Sequence, residues 1–274
     1  MYHHEDMRVY ARNIRVESLK ALSGLGFGHI GGVMSAADVL GVLYGGVMKI
    51  DPKNPSWEDR DYFVMSKGHA GPGLYAALAL RGYFPIEELK TINTNGTRLP
   101  SHCDRNSTPG IDMTTGSLGQ GMSTGIGIAH GNKILGKKNY TYLLLGDGEC
   151  QEGQIWEGAL YAPQQKLSRL IAFIDYNKQQ LDGYTKDICD LGDLRQKFHD
   201  FGWYALEVDG HNIDAIVAAI ELGKGQDEKP VMIILHTQKG RGCNFAEGIL
   251  YNHHMTFTKE QCDDAIAKLV DEGC

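Results

Sequence analysis

The stretch 140–177 constrains this chain more than any other. Two unbroken apolar runs, Tyr140–Leu145 and Leu170–Ile174, flank the turn Gly146-Asp147-Gly148 and a segment, 152–166, whose Ile155, Trp156, Ala159 and Leu160 recur at helical spacing. A strand that is apolar at every position has to be covered on both faces, and two strands joined through a helix run parallel. The second run leads directly into Asp175-Tyr176-Asn177. One β-turn-α-β unit thus predicts a parallel sheet with polar residues gathered at its carboxyl edge.

The rest of the chain repeats that alternation. Helices are predicted over 7–22, 36–48, 73–81, 87–92, 117–134, 191–201, 213–222 and 258–270, and strands over 61–65, 204–208 and 231–236. Ser35 with Asp38, and Thr258 with Gln261, have the spacing of capping boxes. Five glycines in 23–32 predict a break between the first two helices. The expected fold is α/β, doubly wound, with a mostly parallel sheet and helices on both faces. No repeat, low-complexity tract or linker interrupts it, so residues 1–274 are expected to form one domain.

Composition narrows the function. A net charge of -7 and a pI near 5.9 provide no electrostatic footprint for nucleic acid or an anionic membrane. No apolar run is expected to reach a membrane span, and the first fifteen residues are too charged for a signal peptide. Six scattered cysteines without a C-x-x-C pair predict reduced thiols and a cytoplasmic location. Glycine, at 35 of 274 residues, is well above the usual share of about 7%.

In open parallel sheets ligands bind at the carboxyl ends of the strands. Asp147 and Asn177 follow two strands of one unit and are expected on the same edge. Their oxygens are hard donors suited to magnesium, and the helix starting after Gly148 would aim free N–H groups at a phosphate. The competing reading has Asp147 simply cap that helix. His29, His69 and His102 sit in small-residue loops, and His253-His254 near another; imidazoles so placed suit a ligand's oxygens and proton exchange. Zinc is the alternative, although no H-E-x-x-H or paired i, i+4 histidines support it. The glycine strings at 24–28 and 116–121 lack the spacing or the preceding strand of a nicotinamide-binding fingerprint, and no P-loop string is present.

Six segments in sequence order resemble the transketolase family: GHIGG (28–32), SKGHAGPGLYAAL (66–78), TTGSLGQGMS (114–123), GDGECQEGQIWEGA (146–159), DYNKQQLDG (175–183) and KGRGCNF (239–245). The resemblance covers nearly the whole chain and implies a thiamine diphosphate-binding fold. It implies magnesium, or calcium or manganese in its place, on Asp147, Asn177 and the main-chain carbonyl of Gln179. Gly146, Gly148, His69 and His253 would meet the diphosphate, Gly116 and Leu118 the cofactor rings, and Glu152 a network near the subunit seam. His29, His69, His102 and His253 would handle substrate hydroxyls and proton transfers. His254 stands where the family has a small residue, and Ile30 where many relatives have proline.

The family's pyrimidine-binding domain has no counterpart before Cys274. The resemblance therefore implies the N-terminal subunit of a split transketolase, paired with a separately encoded pyrimidine-domain subunit in a 2+2 heterotetramer; a truncated fragment is the alternative. The implied reaction moves a two-carbon ketol unit from a ketose phosphate to an aldose, in carbohydrate metabolism of the pentose phosphate type. A deoxyxylulose phosphate synthase, a 2-oxo acid dehydrogenase component and a non-catalytic regulatory partner would share the fold. The histidine loops and QEGQIWE (151–157) favour transketolase.

Overall fold

The computed structural model describes residues 3–271. Five strands form the central sheet: β1 (Tyr62–Met65), β2 (Thr141–Gly146), β3 (Leu170–Tyr176), β4 (Tyr204–Asp209) and β5 (Val231–His236). Their order is β1-β2-β3-β5-β4, and every neighbouring pair is parallel. The longer helices are α1 (His4–Ser23), α2 (Ile30–Val42), α3 (Gly71–Arg81), α4 (Gln120–Ile134), α5 (Gly153–Gln164), α6 (Leu194–Asp200), α7 (Ile213–Lys224) and α8 (Lys259–Asp271), and a single helical turn covers Thr185–Ile188.

The apolar strands serve two cores by alternation. Phe63, Tyr142, Leu144, Ile171 and Phe173 meet α1, α2, α3, α7 and α8 on one face. Val64, Leu143, Leu145, Ala172 and Ile174 meet α4, α5 and α6 on the other. Successive side chains of a strand point to opposite faces, so a run without polar interruption is what a doubly covered sheet requires.

Several expectations are corrected. α2 begins at Ile30, not Ala36, so Ser35 is no cap: it lies inside the helix and its Oγ donates to Asp175 Oδ2 at 2.7 Å. Asp38 likewise makes a buried ion pair with Arg15 instead of a capping box. The reason is Gly31 and Gly32, which join the helix instead of breaking it; a Cβ on Gly31 would lie 2.6 Å from the Asn252 carbonyl. The α-helical part then stops at Val42, and a π-helical turn covers Leu43–Val47. Residues 87–92 belong to a 3-10 segment, Ile86–Thr91. The start of α4 moves to Gln120 because Gly119 is left-handed, with φ +85°. On α5, Leu160 faces outward, 65% exposed, and Ala162 takes its expected place in the core.

One 18-residue window, Ile30–Val47, does reach the length and hydropathy of a membrane span, against the expectation that none would. Its residues are 89% buried inside the fold, which makes it a core helix between α1 and α3. The capping box of the last helix is present: Gln261 N–H donates to Thr258 Oγ1 at 3.2 Å, and Thr258 N–H to Gln261 Oε1 at 2.8 Å. Cys103, Cys150, Cys189, Cys243 and Cys262 are unpaired, and Cys274 lies outside the described residues.

Candidate active site

The carboxyl ends of the strands form the floor of the site. Asp147 follows β2 and is buried; Oδ1 accepts the Gly148 N–H at 2.8 Å, and Oδ2 accepts the Lys178 N–H. Cap and ligand readings are therefore compatible, since a carboxylate has about four lone-pair sites and these bonds use two. Lys178 reaches Asp147 by adopting a left-handed conformation, φ +67°, unusual for a residue with a long side chain. On either side of Lys178, Asn177 and Gln179 border the same cavity as Asp147. A short antiparallel ribbon, Gln179–Gln180 with Gly183–Tyr184, continues the loop. Gly148 is needed where the two segments touch: a Cβ there would lie 2.6 Å from Gln180 Cβ.

Behind Asp147 sits a polar hub that sequence reasoning missed. Asp175, 1% exposed at the end of β3, accepts from Lys67 Nζ, Thr237 Oγ1, Ser35 Oγ at 2.7 Å and Asn177 Nδ2 at 3.3 Å. These donors come from just past the ends of β1, β5 and β3 and from α2, so one carboxylate ties four elements together. Burial alone would raise the Asp175 carboxyl, but the Lys67 ammonium and its hydrogen bonds hold it below the usual range. Asp147 has no such counter-charge in contact. Burial, then the Asp175 charge, push its carboxyl up to about 7. A lysine after a strand end, in Ser66-Lys67-Gly68, was the available signal for this hub.

Glu149 ties the neighbouring loops. It is buried and accepts from Ser66 Oγ, from Gly119 N–H at 2.8 Å and from Gly146 N–H at 2.9 Å. This fixes the approach to α4, and with it Gly116 and the half-exposed Leu118, against the turn after β2. Glu152 caps no bond with its side chain and stands exposed at the start of α5.

The histidines converge. His29 lies 5.5 Å from His69, 5.6 Å from His102, 5.4 Å from His253 and 4.7 Å from His254, ring centre to ring centre. His69 and His253 are 4.6 Å apart. Burial pulls His29 down to about 4, helped by His254, His102 and Lys239; burial and Lys239 pull His253 down to about 3. His69 and His102 are lowered for the same first reason, so these four rings are neutral at pH 7. Among the described residues no three His, Cys, Asp or Glu side chains are grouped to hold a metal ion. Lys239 is buried beside His253, Nζ to Nδ1 3.4 Å, and desolvation with the Lys67 charge draws it down to about 8.

One cavity of about 370 Å³ joins the Asp147 loop to His29, His69, His102 and His253. The site residues expected from the sequence line it: His29, His69, His102, His253, Gly116, Leu118, Gly146, Asp147, Gly148, Glu152, Asn177 and Gln179. So do Lys67, Glu149 and Lys239, which were not expected there. His254 does not; it faces a smaller space with Phe27 and Pro72 on the other side of His29. The donor set suits a cation and a polyanion. Asp147 is a buried carboxylate short of positive charge, Gln179 Oε1 is buried without a partner, and Lys239 is a buried cation without a contacting carboxylate.

Fold and cavity together define an α/β protein with its ligand site at the carboxyl edge of a parallel sheet. The family profile "Transketolase, thiamine diphosphate binding domain" matches residues 7–269, and the chain belongs to the transketolase family as a component carrying that domain. It is 52% identical over 268 residues to a 6-deoxy-6-sulfo-D-fructose transketolase subunit of Clostridium sp. (strain MSTE9), covering 98% of each chain. It is 39% identical to an apulose-4-phosphate transketolase subunit of Phocaeicola vulgatus, over 88% of this chain and 86% of that one. Among solved structures, transketolase from Leishmania mexicana superposes with a TM-score of 0.90 at 31% identity. There the match covers 97% of this chain but 41% of the other, so this chain spans about two-fifths of that transketolase.

Proposed function

We propose that this chain is the diphosphate-holding subunit of a split transketolase, which moves a two-carbon ketol unit from a ketose to an aldose acceptor. The observation that carries the reading is the single cavity joining Asp147 and Asn177 to four neutral histidines at the sheet edge. Nearly full coverage of relatives that are named transketolase subunits supports a second chain that completes the site.

Asp147, Asn177 and the Gln179 main-chain carbonyl would hold magnesium, or calcium or manganese in its place. Held there, a dication would supply the positive charge that buried Asp147 lacks. Gly146, Gly148, His69, Lys239 and His253 would meet the diphosphate, and Gly116 and Leu118 the cofactor rings. Thiamine diphosphate, when bound, supplies the carbon nucleophile for ketol transfer. A neutral imidazole donates from one nitrogen and accepts at the other. His29, His69, His102 and His253 can therefore orient a substrate's hydroxyls and pass their protons without first being charged. Glu152, exposed at the cavity wall, would face the partner.

The proposed partner is a separately encoded pyrimidine-domain subunit in a 2+2 heterotetramer, with the work done in the cytoplasm as one domain of 274 residues. The names of the relatives favour a specialised donor with a terminal anion, a sulfo-sugar first, over the general pentose phosphate pathway. Reconstitution tests this. With thiamine diphosphate and magnesium, ketol transfer is expected from the two chains together and not from this one alone. The donors to compare are 6-deoxy-6-sulfofructose, xylulose 5-phosphate and pyruvate. Full turnover by this chain alone, or turnover of pyruvate in preference to a ketose, overturns the proposal.

A further inference from the structure

A second cavity lies across the loop that carries Lys239. Lys239 faces the large cavity, whereas Arg241 and Gly242, two and three residues on, border a separate space of about 150 Å³. Its other walls include Arg8 and Arg15 of α1, Asp38 of α2, and His211 after β4. Arg8 and Arg15 are seven residues apart and share one face of α1, which places two guanidiniums at one opening.

The one carboxylate among these residues is already engaged. Asp38 accepts from Arg15 Nη1 at 3.0 Å and Nη2 at 2.5 Å, and from His211 Nδ1 at 2.7 Å. Arg15 Nε remains buried without a partner. Arg8 and Arg241 are tied only to side chains at the rim. Arg8 pairs with Glu5 and Asp214, whose side chains are 78% and 56% exposed. Exposed pairs of this kind add little stability, so the guanidiniums can turn to another anion at small cost. Arg241 meets Glu247 at 3.3 Å, but Glu247 keeps the Gly242 N–H at 2.7 Å whichever way Arg241 turns. Gly242 also keeps the space open: its φ is +76°, and a Cβ there would lie 2.8 Å from Leu269 Cδ2 and 3.5 Å from Arg15 Cδ.

We propose that this cavity is a second ligand site, separate from the cofactor cavity, that takes a small tetrahedral oxyanion: a phosphate or sulfonate group. The guanidinium fork matches two oxygens of such a group at once; Arg8 and Arg241 can each turn one toward this space, which Arg15 borders with its own fork held by Asp38. Occupancy would reach the cofactor loop directly, because His211 Nε2 accepts the Gln238 N–H at 2.8 Å, next to Lys239.

Calorimetric titration of the full chain tests this, with thiamine diphosphate and magnesium in excess to fill the cofactor cavity, and with inorganic phosphate, methanesulfonate and ribose 5-phosphate as titrants at ionic strength held constant by chloride. Saturable one-to-one binding is expected. The double variant Arg8→Gln/Arg241→Gln should weaken it about tenfold or more, and Arg241→Lys, which keeps the charge without the fork, should weaken it in part. Lys239→Ala, on the other side of the loop, should leave it unchanged. Tighter binding of ribose 5-phosphate than of phosphate supports a site for a sugar's anionic tail; equal binding supports one for the free ion. Binding lost in Lys239→Ala but kept in the arginine variants places the anion in the cofactor cavity and overturns the proposal. So does a heat that never saturates.

Discussion

The Asn177 amide donates from Nδ2 to Asp175 Oδ2 at 3.3 Å, and because that carboxylate is ionised and can only accept, Asn177 Oδ1 must point the other way. Oδ1 takes the Gln179 N–H at 3.1 Å and keeps one lone pair for the cation that Asp147 lacks. Asp175 thereby decides which end of the amide the site presents, although its own side chain is buried in the sheet edge.

The ion pair behind that arrangement should be worth more when one half is removed than when both are. Asp175→Asn leaves the Lys67 ammonium buried without its counter-charge, at a cost of about 3–5 kcal/mol. Lys67→Met/Asp175→Asn, which removes both charges, should recover a large part of that loss. Urea denaturation of the two single variants and the double variant measures the coupling; additive losses would show that the pair is not a unit.

Asp147→Ala should abolish magnesium-dependent binding of thiamine diphosphate while leaving the fold intact. The side chain is linked to the loop by two main-chain bonds, and its removal takes away an unfavourable charge near Asp175. Calorimetry with and without magnesium, alongside circular dichroism, checks it. Unchanged cofactor affinity would show that the cation is held elsewhere.

Acid should loosen the site through His29. Burial lowers this ring from 6.5 to about 4, so between those values the unfolded chain binds a proton that the folded chain refuses. Stability from this group is whole above about pH 6.5 and is lost as pH falls toward 4. His69, His102 and His253 act in the same direction, and Lys239 and His254 are the other titratable groups beside it. His29→Asn should reduce the fall in Tm from pH 7 to pH 4.5 by roughly 2–4 °C, the equivalent of about 1 kcal/mol for a partly exposed ring. An identical pH profile in the variant would dismiss the effect.

Glycines of the chain should separate into two kinds. Gly148→Ala brings a Cβ within 2.6 Å of Gln180 Cβ and should displace the loop over Asp147, weakening cofactor binding about tenfold. Gly127, inside α4 with open space around it, should accept alanine and raise stability by about 0.5–1 kcal/mol in the isolated chain. Thermal melts and cofactor titrations of both variants report the difference.

Much of the sheet was legible in the sequence, because apolar runs of strand length have few other uses and their polar exits mark one edge. The placement of Asp147, Asn177 and the loop histidines followed from that edge. Lys67 and Asp175 were not legible as a pair: they are 108 residues apart, and their types alone predict solvated charges. Ser35 misled for a related reason. Its local spacing fits a cap, yet its true partner, Asp175, is 140 residues away and was invisible to any local pattern.

The sequence by itself determined the parallel α/β architecture, the family and many of the residues that line the cavity, since these depend on strand patterning and on motifs read along the chain; it did not place Lys67, Glu149 or Lys239 there. The tertiary structure alone decided how those residues are charged and aimed. It keeps the four histidines neutral by burial, starves Asp147 of positive charge beside Asp175, and orients the Asn177 amide through that same carboxylate. It also sets three arginines around a second cavity. Ionisation and orientation depend on what surrounds a group in space, and those surroundings come from segments the sequence keeps far apart.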